Sequence, residues 1–232
     1  MTKLVPPKTD AKPAKAKSAG KAPVRKRLPT EERERQIVEG AIAFFSECGL
    51  NGQMRELATR IGVTHPLLFH YFPSKNALIQ RVYQEVYLGR WKQDWESWIR
   101  DRSEPFERRL VRVYVDYAQT VLTKDWVRIL VYSALADGYI TDNYLALVGE
   151  RMLRPIIAET RASLGLDHSA APSEAENELL WGLHGGIFYI GVRHWIYGHP
   201  FPGDLAQSVA DRVSAYLLAA AEVFPREAKP AR

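Results

Sequence analysis

Residues 53–75, with the sequence QMRELATRIGVTHPLLFHYFPSK, constrain the fold more than any other stretch of this chain. Their first half predicts a helix over residues 53–61, because apolar side chains recur there at helical spacing. Gly62 then suits the left-handed position just past a helix end, and Thr64 can cap a second helix from about His65 to Phe72. Two helices joined by a short turn that contains glycine form a helix-turn-helix, in which the second helix enters the major groove of DNA.

The charge pattern around this stretch favours a surface that lies against phosphates. No acidic residue occurs between Glu56 and Glu85, whereas Arg60, Lys75 and Arg81 are basic. A face without acids meets no electrostatic repulsion when it approaches the DNA backbone. The charge pattern therefore agrees with the helix-turn-helix interpretation.

The second helix is expected to have one face for the core and one for DNA. Leu68 and Phe72 lie four residues apart and should face inward, and Phe69 is a further candidate for the core. Histidines can donate to base edges or phosphates, leucine can touch a thymine methyl group, and hydroxyls can bind phosphates. The plainer alternative is a merely solvated surface for the outward set, which comprises Thr64, His65, Leu67, His70 and Tyr71.

Residues 37–82 resemble the amino-terminal DNA-binding domain of TetR/AcrR-type transcriptional regulators. Three segments carry the resemblance: AIAFFSECG, RELATRIGVT and LLFHYFPSKNALIQRV. The resemblance implies a phosphate contact by Lys75. Two positions depart from the family pattern, since Gln53 stands where a threonine commonly caps the second helix and touches a phosphate, and Phe69 stands where a tyrosine is usual. The predicted DNA-binding residues are Gln53, Arg55, Thr64, His65, Pro66, Leu67, His70, Tyr71 and Lys75.

Composition and cysteine content exclude several other classes of protein. A chain of 232 residues that is 46% hydrophobic can form one or two domains with substantial cores. A single cysteine, Cys48, excludes an internal disulfide framework and a cysteine-rich zinc site. The sequence has no run of 18 apolar residues and no apolar segment at its amino terminus, so we expect a soluble, cytoplasmic protein without a membrane partner.

The basic residues are concentrated at the amino terminus. The chain has a net charge of +5, but residues 1–29 hold nine lysines and arginines against the single acid Asp10. This segment has too few apolar residues to fold, so we expect a disordered tail that either adds phosphate contacts or only aids solubility. The expected organisation is a basic tail at 1–29, a helix-turn-helix domain at 30–83, a helical effector-binding and dimerisation domain at 84–225 and a second tail at 226–232.

The folded part is predicted to be all-α, with about nine helices. Thr30 is expected to cap the first helix, whose apolar stripe includes Phe45 and Cys48. Ser74 is expected to cap a long helix that continues past Gly89 and carries three tryptophans on one face: Trp91, Trp95 and Trp98. In the TetR/AcrR family the corresponding helix links the DNA-binding domain to the body. Pro155 predicts a kink in a later helix over residues 144–164.

The body is richer in aromatic residues than packing alone requires, since all six tryptophans lie from Trp91 onward. An aromatic interior with a few polar groups favours a pocket for a hydrophobic or aromatic small molecule, which would act as the effector. For each candidate the alternative is plain core packing. The candidate effector-binding residues are Trp95, Tyr114, Tyr117, Trp126, Tyr132, His184 and Tyr189.

The last two helices are predicted to form a dimer interface. Capping-box patterns mark their starts at Ser173 with Glu176 and at Asp204 with Gln207. Glycines inside the first of these helices favour close approach of another helix. Half of a four-helix interface can then be formed by a candidate set of Gly182, Gly186, Tyr189, Leu205, Val209, Val213, Tyr216 and Leu217.

The resulting hypothesis is a homodimeric transcriptional regulator that represses from a palindromic operator in double-stranded DNA and is released by its effector. One alternative is a dimeric DNA-binding regulator without an effector. A remote alternative is a helical enzyme. The histidines of the body show no spacing typical of a metal site, so we expect no catalytic residues, metal or cofactor.

Overall fold

The computed structural model describes residues 29–227, and most of this part of the chain is helical, with no β-strand between those limits. Two π-helical turns, Gln84–Leu88 and Gly149–Leu153, directly follow the fourth and eighth α-helices. The all-α prediction is confirmed. The α-helices are α1 (Thr30–Cys48), α2 (Met54–Arg60), α3 (His65–Tyr71), α4 (Lys75–Tyr83), α5 (Gln93–Arg100), α6 (Phe106–Val121), α7 (Lys124–Ala134), α8 (Tyr139–Val148), α9 (Arg154–Ser163), α10 (Glu174–Trp195) and α11 (Leu205–Glu227).

The two predicted tails fall almost entirely outside the described residues. Of the basic tail expected at 1–29, the structure describes only Pro29. Of the tail expected at 226–232, it describes residues 226 and 227, which belong to α11. The predictions for the remaining tail residues therefore stay predictions.

Side-chain caps at helix starts follow the sequence closely. At the starts of α3, α4, α10 and α11, side-chain oxygens accept backbone N–H groups, and the acceptors are Thr64, Ser74, Ser173 and Asp204. The capping box at Ser173 is complete. Only half of the second box forms, because the Gln207 side chain donates to Asp211 instead. The cap predicted at Thr30 is wrong, since Pro29 takes that position and Thr30 is the first helical residue.

Helices α1 to α4 pack around a shared apolar centre that includes Ile37, Leu57 and Leu68, each 0% exposed. Cys48 was expected in the α1 stripe, but it is exposed because α1 ends there and Leu50 fills the core instead. Phe69 was a candidate for the same core, and 36% of its surface is exposed. The core of this part, which we call the head (residues 30–83), is thus formed without either side chain.

The helix expected to run unbroken from Ser74 past Gly89 is interrupted. The π-helical turn ends at Leu88, residues 89–92 form a turn and an extended link, and α5 begins at Gln93. The N–H of Gly89 donates to the carbonyl of Gln84, and a Cβ at position 89 would lie only 2.8 Å from the carbonyl oxygen of Glu85. Glycine therefore permits the close backbone approach that ends this helix.

The later helices form the body, whose centre is dominated by fully buried aromatic rings such as Trp95, Trp126 and Tyr144. Helix α7 packs against α1 of the head and against α8 and α10 of the body. Pro155 lies near the start of α9, directly after a π-helical turn, where its missing N–H is tolerated. Within residues 29–227, every helix is too short or too polar to span a membrane.

Candidate nucleic-acid interface and interior cavity

Helices α2 and α3 form the helix-turn-helix that the sequence predicts. Gly62 makes the turn with a φ of 69°, in the left-handed region that favours glycine. The N–H of Val63 donates to the carbonyl of Ala58 at 3.0 Å, which fixes the path of the turn. Leu68 then anchors α3 in the head core, and the opposite face of α3 points away from it. The second helix is therefore presented outward on a rigid support.

The outward face of α3 carries the predicted DNA-binding residues. Thr64, Pro66 and His70 are exposed, while His65, Leu67 and Tyr71 are half-buried. The His65 ring packs edge-on against Phe69, with ring centroids 4.7 Å apart, and the His70 ring packs in the same way against Tyr71 at 5.5 Å. Aromatic neighbours thus limit the freedom of both histidines. Phe69, which the sequence offered as a further candidate for the core, joins this face as an exposed ring.

The start of α2 presents Gln53 and Arg55, and both are exposed. Gln53 occupies the N-cap position, but its side chain accepts no capping hydrogen bond. Gln53, which stands where the resemblance implies a capping threonine, therefore does not cap α2 with its side chain. Arg55 forms no ion pair with any residue between 29 and 227, so its guanidinium is free to meet a phosphate.

Two of the basic residues near the helix-turn-helix are engaged by carboxylates. Arg60 donates to Glu47 at 2.7 Å, and Arg81 donates to Glu85 at 2.7 Å. The hydrogen bond from Arg60 to Glu47 raises the pKa of that arginine. Exposed ion pairs of this kind are weak and open readily to water, but they reduce the positive charge offered to DNA.

Lys75, the predicted phosphate contact, is the first residue of α4 and is half-buried. It borders a cleft of about 360 Å³ between head and body, together with Leu50, Leu135 and Asp137. Burial lowers the pKa of Lys75, and the Asp137 carboxylate opposes that shift. The side chain is therefore placed at the junction of head and body, next to an acid of the α7–α8 turn.

The body contains a cavity of about 270 Å³ between α7, α8 and α10. Leu135 and Leu145 also contribute to the wall, and they are 78% and 39% exposed, so the cavity reaches the surface at this edge. The cavity therefore has the aromatic and aliphatic character that a binding site for an apolar molecule requires. The inner wall is formed chiefly by Trp126, Leu130, Tyr144, Trp181, His184 and Phe188.

The structure brings two of the seven predicted effector residues, Trp126 and His184, to the wall of this cavity. The buried rings of Tyr114 and Tyr117 lie behind the wall, where both pack against His184. Trp95 is also fully buried, and its indole N–H donates to Asp116 at 2.7 Å.

The other two candidates lie elsewhere and do not line the cavity. Tyr132 faces the head, where its hydroxyl accepts a hydrogen bond from Arg128 at 2.6 Å. Tyr189 is 49% exposed on α10 and packs against Tyr197. Their assignment to this cavity is corrected, because each points away from the inner face of its helix.

Three polar side chains form a hydrogen-bonded group at the inner end of the cavity. The hydroxyls of Tyr117 and Tyr144 lie 2.6 Å apart, and the Tyr117 hydroxyl lies 3.4 Å from Nε2 of His184. Burial lowers the pKa of His184 to about 4 and raises the pKa of both tyrosines. All three groups are therefore uncharged at neutral pH. Nδ1 of His184 is buried and has no hydrogen-bond partner among the described residues.

Arg128 of α7 connects the cavity wall to the head. Its Nε donates to the carbonyl of Ser46 in the last turn of α1 at 2.5 Å, and its Nη1 donates to the carbonyl of Trp195, the last residue of α10, at 3.2 Å. The carbonyls in the last turn of a helix lack partners within that helix, and the helix dipole favours a cation there. One guanidinium thus caps the carboxyl ends of two helices that belong to different parts of the molecule.

The face of α10 and α11 that points away from the body carries part of the predicted dimer interface. Tyr189 is exposed, Leu205 and Leu217 are half-buried, and a Cβ built at Gly182 would meet no other atom within 4 Å. A Cβ at Gly186 would meet only the end of the Arg212 side chain, at 3.9 Å. These five positions remain candidates for contact with a second copy.

The remaining three interface candidates are corrected by their burial within the protomer. Val209 and Val213 are 0% exposed, and Tyr216 is 4% exposed with its hydroxyl 2.9 Å from Thr160. A side chain enclosed by its own chain cannot contact a partner without rearrangement. Leu218, at 75% exposure, lies on the outer face of α11 instead.

Comparison with known proteins agrees with the geometry of the head. A family model described as bacterial regulatory proteins, tetR family, matches residues 37–82. These residues span most of α1, the helix-turn-helix and most of α4. Residues 37–82 therefore match a TetR-type DNA-binding domain. The resemblance found in the sequence is thereby confirmed.

A curated relative also matches less than half of this chain. The tetracycline repressor protein class D of Escherichia coli is 28% identical over 94 residues, which make up 37% of this chain and 43% of the repressor. The chain therefore aligns with less than half the length of that relative. What the tetracycline repressor does as a whole is not transferred by such a match.

Solved structures show that the TetR-family resemblance in shape continues through the body. A TetR-like transcriptional regulator from Rhodococcus sp. RHA1 is 17% identical, with a TM-score of 0.63 over 85% of this chain and 100% of that one. A tetR-family transcriptional regulator from Streptomyces coelicolor is 19% identical, with a TM-score of 0.55 over 86% of both chains. At these identities the comparison establishes the fold.

The sequence did not point to several residues that line the cavity or connect it to the head. Tyr144, Trp181 and Phe188 line the cavity, and their aromatic character within predicted helices was an available signal. Arg128 was also missed. Its signal was a single arginine within the otherwise apolar run of residues 126–132, four residues before Tyr132. The carbonyl groups that it caps belong to distant helices, so its role could not be read from α7 alone.

Proposed function

We propose that the chain is a homodimeric DNA-binding transcriptional regulator, a repressor that a hydrophobic small molecule releases from a palindromic operator. The helix-turn-helix in a TetR-family domain, with α3 turned outward, carries the DNA-binding part of this proposal. The curated relatives are named repressors, which supports the sign of the regulation.

The outward face of α3 supplies groups suited to base and phosphate contacts. His65 and His70 can donate to base edges, and Leu67 can pack against a thymine methyl group. Thr64, Arg55 and Lys75 surround them with hydroxyl and cationic groups that suit phosphates. Base reading would therefore be concentrated on three side chains of α3, with the phosphate contacts fixing its position in the groove.

A dimer through the outer face of α10 and α11 would present two copies of α3 to one DNA molecule. In such assemblies the two half-sites lie about 34–36 Å apart, one helical turn of DNA. Two-fold symmetry of the protein then requires a palindromic or nearly palindromic operator.

The single observation that supports effector control is the position of α7. One face of α7 forms the cavity wall through Trp126 and Leu130, and another face holds the end of α1 through Arg128. A ligand that fits the cavity better in one arrangement of α7 would bias the position of the head by its differential affinity. The cavity also counts against the alternative in which the body only dimerises.

DNA binding is tested first by selecting bound sequences from a random pool and measuring affinity for the selected site. Replacing His65, His70 and Lys75 together with alanine should weaken binding at least about tenfold, because each removes a base or phosphate contact. Arg60→Ala is the matched control, since its guanidinium is engaged by Glu47. Failure to select any motif, or loss of dimerisation in the triple variant, would refute the assignment of the interface.

Release is tested separately with a screen for small molecules that dissociate the protein from the selected operator. We expect active compounds to be apolar and to be blocked by substitutions that fill the cavity. Active compounds that bind elsewhere would disprove the role of the cavity while leaving DNA binding intact.

A further inference from the structure

Among residues 29–227, no charged side chain lines the cavity between α7, α8 and α10. Two polar groups of the wall are engaged within the protein: the Thr141 hydroxyl donates to the Leu130 carbonyl at 2.9 Å, and the Tyr144 hydroxyl pairs with that of Tyr117. The other polar groups of the wall residues are Nδ1 of His184, which is buried without a partner among the described residues, and the indole N–H groups of Trp126 and Trp181. The wall therefore offers a ligand only a few neutral groups to hydrogen-bond.

Neighbouring hollows of similar size show that this apolar character is particular to one site. A hollow of about 280 Å³ near α9 includes Glu150, Arg154 and Asn177 in its wall, and another of about 260 Å³ includes Arg154 and His168. Charged molecules would find counter-charges in those hollows. The cavity against α7 provides none.

Burial of an ion in such a cavity is unfavourable for either sign of charge. A buried carboxylate or ammonium costs several kcal/mol when no opposite charge accompanies it. In the empty cavity His184 is neutral at pH 7, because burial lowers its pKa to about 4, so it offers an anion a hydrogen bond and no positive charge. Among residues 29–227, no carboxylate lines the wall to compensate a cation. The wall therefore selects against ions at neutral pH.

The size and shape of the cavity limit the ligand further. An empty apolar cavity of about 150 Å³ in another protein accommodates benzene, so a volume of about 270 Å³ suits roughly two fused rings. Ring faces and edges surround this space, with centroids of Trp126 4.9 Å from Tyr144 and 6.0 Å from Phe188. Such walls favour planar aromatic ligands through offset and edge-on contacts.

We propose that the effector is an uncharged, largely apolar, planar molecule of about two fused rings, bound between α7, α8 and α10. The description of this ligand as the effector rests on the proposed function, but the binding test does not involve DNA.

The test compares three probes of nearly equal size and different charge: 1-naphthol, 1-naphthoate and 1-methylquinolinium. Their binding to the full-length protein is measured at pH 7 by titration calorimetry. We expect 1-naphthol to bind and the two ions to bind at least about a hundredfold more weakly, because neither finds a counter-charge. Equal or tighter binding of naphthoate would overturn the proposal. Equal or tighter binding of methylquinolinium would also overturn it, since ring faces would then suffice to hold a cation.

The location is tested with Gly185→Leu, because Gly185 lines the cavity and a Cβ there would meet no atom within 4 Å. The added side chain should abolish 1-naphthol binding without disturbing the fold. Gly149→Leu is the matched control: its Cβ also meets nothing, but it borders the polar hollow near α9. Unchanged binding in Gly185→Leu, or equal loss in both variants, would contradict the assigned site.

Two further readouts separate this proposal from others. If Gly185→Leu changes the oligomeric state measured by light scattering, the hollow is an interface between copies and the ligand proposal fails. If 1-naphthol binds as expected but no neutral compound releases DNA, the ligand class stands and effector-controlled repression fails. If only charged compounds release DNA, the proposed function stands and the ligand class fails.

Discussion

His184 has a protonation state that is set by its burial. Its pKa is lowered to about 4 from an ordinary value of 6.5, because burial removes the water that would stabilise the protonated ring. A group whose pKa is lowered by folding contributes its full stabilisation when the pH is above its unfolded pKa. That contribution is lost as the pH falls through the folded pKa. The free energy of unfolding is therefore expected to fall between pH 6.5 and about pH 4. The full loss over this range is about 3 kcal/mol.

We predict that His184→Gln reduces the pH dependence of the free energy of unfolding in this window. Urea denaturation of the wild type and the variant between pH 7 and pH 4 measures the difference. The wild type should lose up to about 3 kcal/mol more than the variant on acidification. His168→Gln is the control, because His168 is exposed and lies outside the buried group at the cavity. Parallel slopes for His184→Gln and the wild type would show that His184 is not the group responsible.

Single residues also show where sequence reading reaches its limit. Thr64 could be assigned as a cap because the evidence for it lies within three residues of the chain. Tyr132 could not be placed correctly, since it lies two residues from Leu130 and therefore about 200° around α7 from the cavity face. Its orientation depends on which face of α7 meets α1, and that is a tertiary contact.

At the scale of elements, α7 is the helix through which the cavity and the head are in contact. Its cavity face carries Trp126 and Leu130, and its head face carries Arg128 and Tyr132. Arg128 also holds the end of α10, so two of the three helices that wall the cavity meet at one guanidinium. A shift of either helix on ligand binding would change the hydrogen bond to α1.

We predict that Arg128→Met uncouples ligand binding from DNA release. The variant should lose about 2 kcal/mol of stability, since charge-assisted hydrogen bonds to helix-end carbonyls are removed. It should still bind a cavity ligand but release DNA less on saturation. Chemical denaturation measures the first effect, and operator affinity with and without ligand measures the second.

Arg102→Met is the control for this prediction. Arg102 forms its ion pair with Glu159 at 2.9 Å, entirely within the body, and more than half of its side chain is exposed. The control should retain full release. If both variants release DNA as the wild type does, Arg128 is a structural residue without a role in coupling.

The elements differ in how far they could be read from the sequence. Helix starts at Ser74 and Ser173 follow from local capping chemistry. The break at residues 89–92 could not be read, because Trp91 and Trp95 continue a helical spacing across it. That break depends on the approach of Gly89 to the backbone of Glu85, which no periodicity records. The cavity likewise depends on how α7, α8 and α10 are placed, and only two of its wall residues were anticipated.

For the whole molecule, the outer face of α10 and α11 is the proposed contact with a second copy. Tyr189 and Leu218 are large apolar side chains with 49% and 75% of their surface exposed. Apolar exposure of this kind is typical of association surfaces.

We predict that Leu218→Glu converts the dimer to a monomer, because it places a charge at the centre of an apolar contact. Sedimentation equilibrium should show the change in mass, and affinity for the palindromic operator should fall at least about tenfold because one half-site contact is lost. Leu88→Glu is the control, since Leu88 is also exposed, at 42%, but lies far from this face in sequence and fold. A dimeric Leu218→Glu protein would place the interface elsewhere.

Because of the interruption at residues 89–92, the rotation of α5 about its own axis does not follow that of α4. In an unbroken α-helix each residue gained or lost turns everything beyond it by about 100°. Here α5 begins only at Gln93, after a turn and an extended link, so the head is oriented by the packing of α1 against α7 and not by a continuous helix. The two parts also differ in how they resemble other proteins. The head matches a family by its residues, whereas the body matches solved structures by its shape.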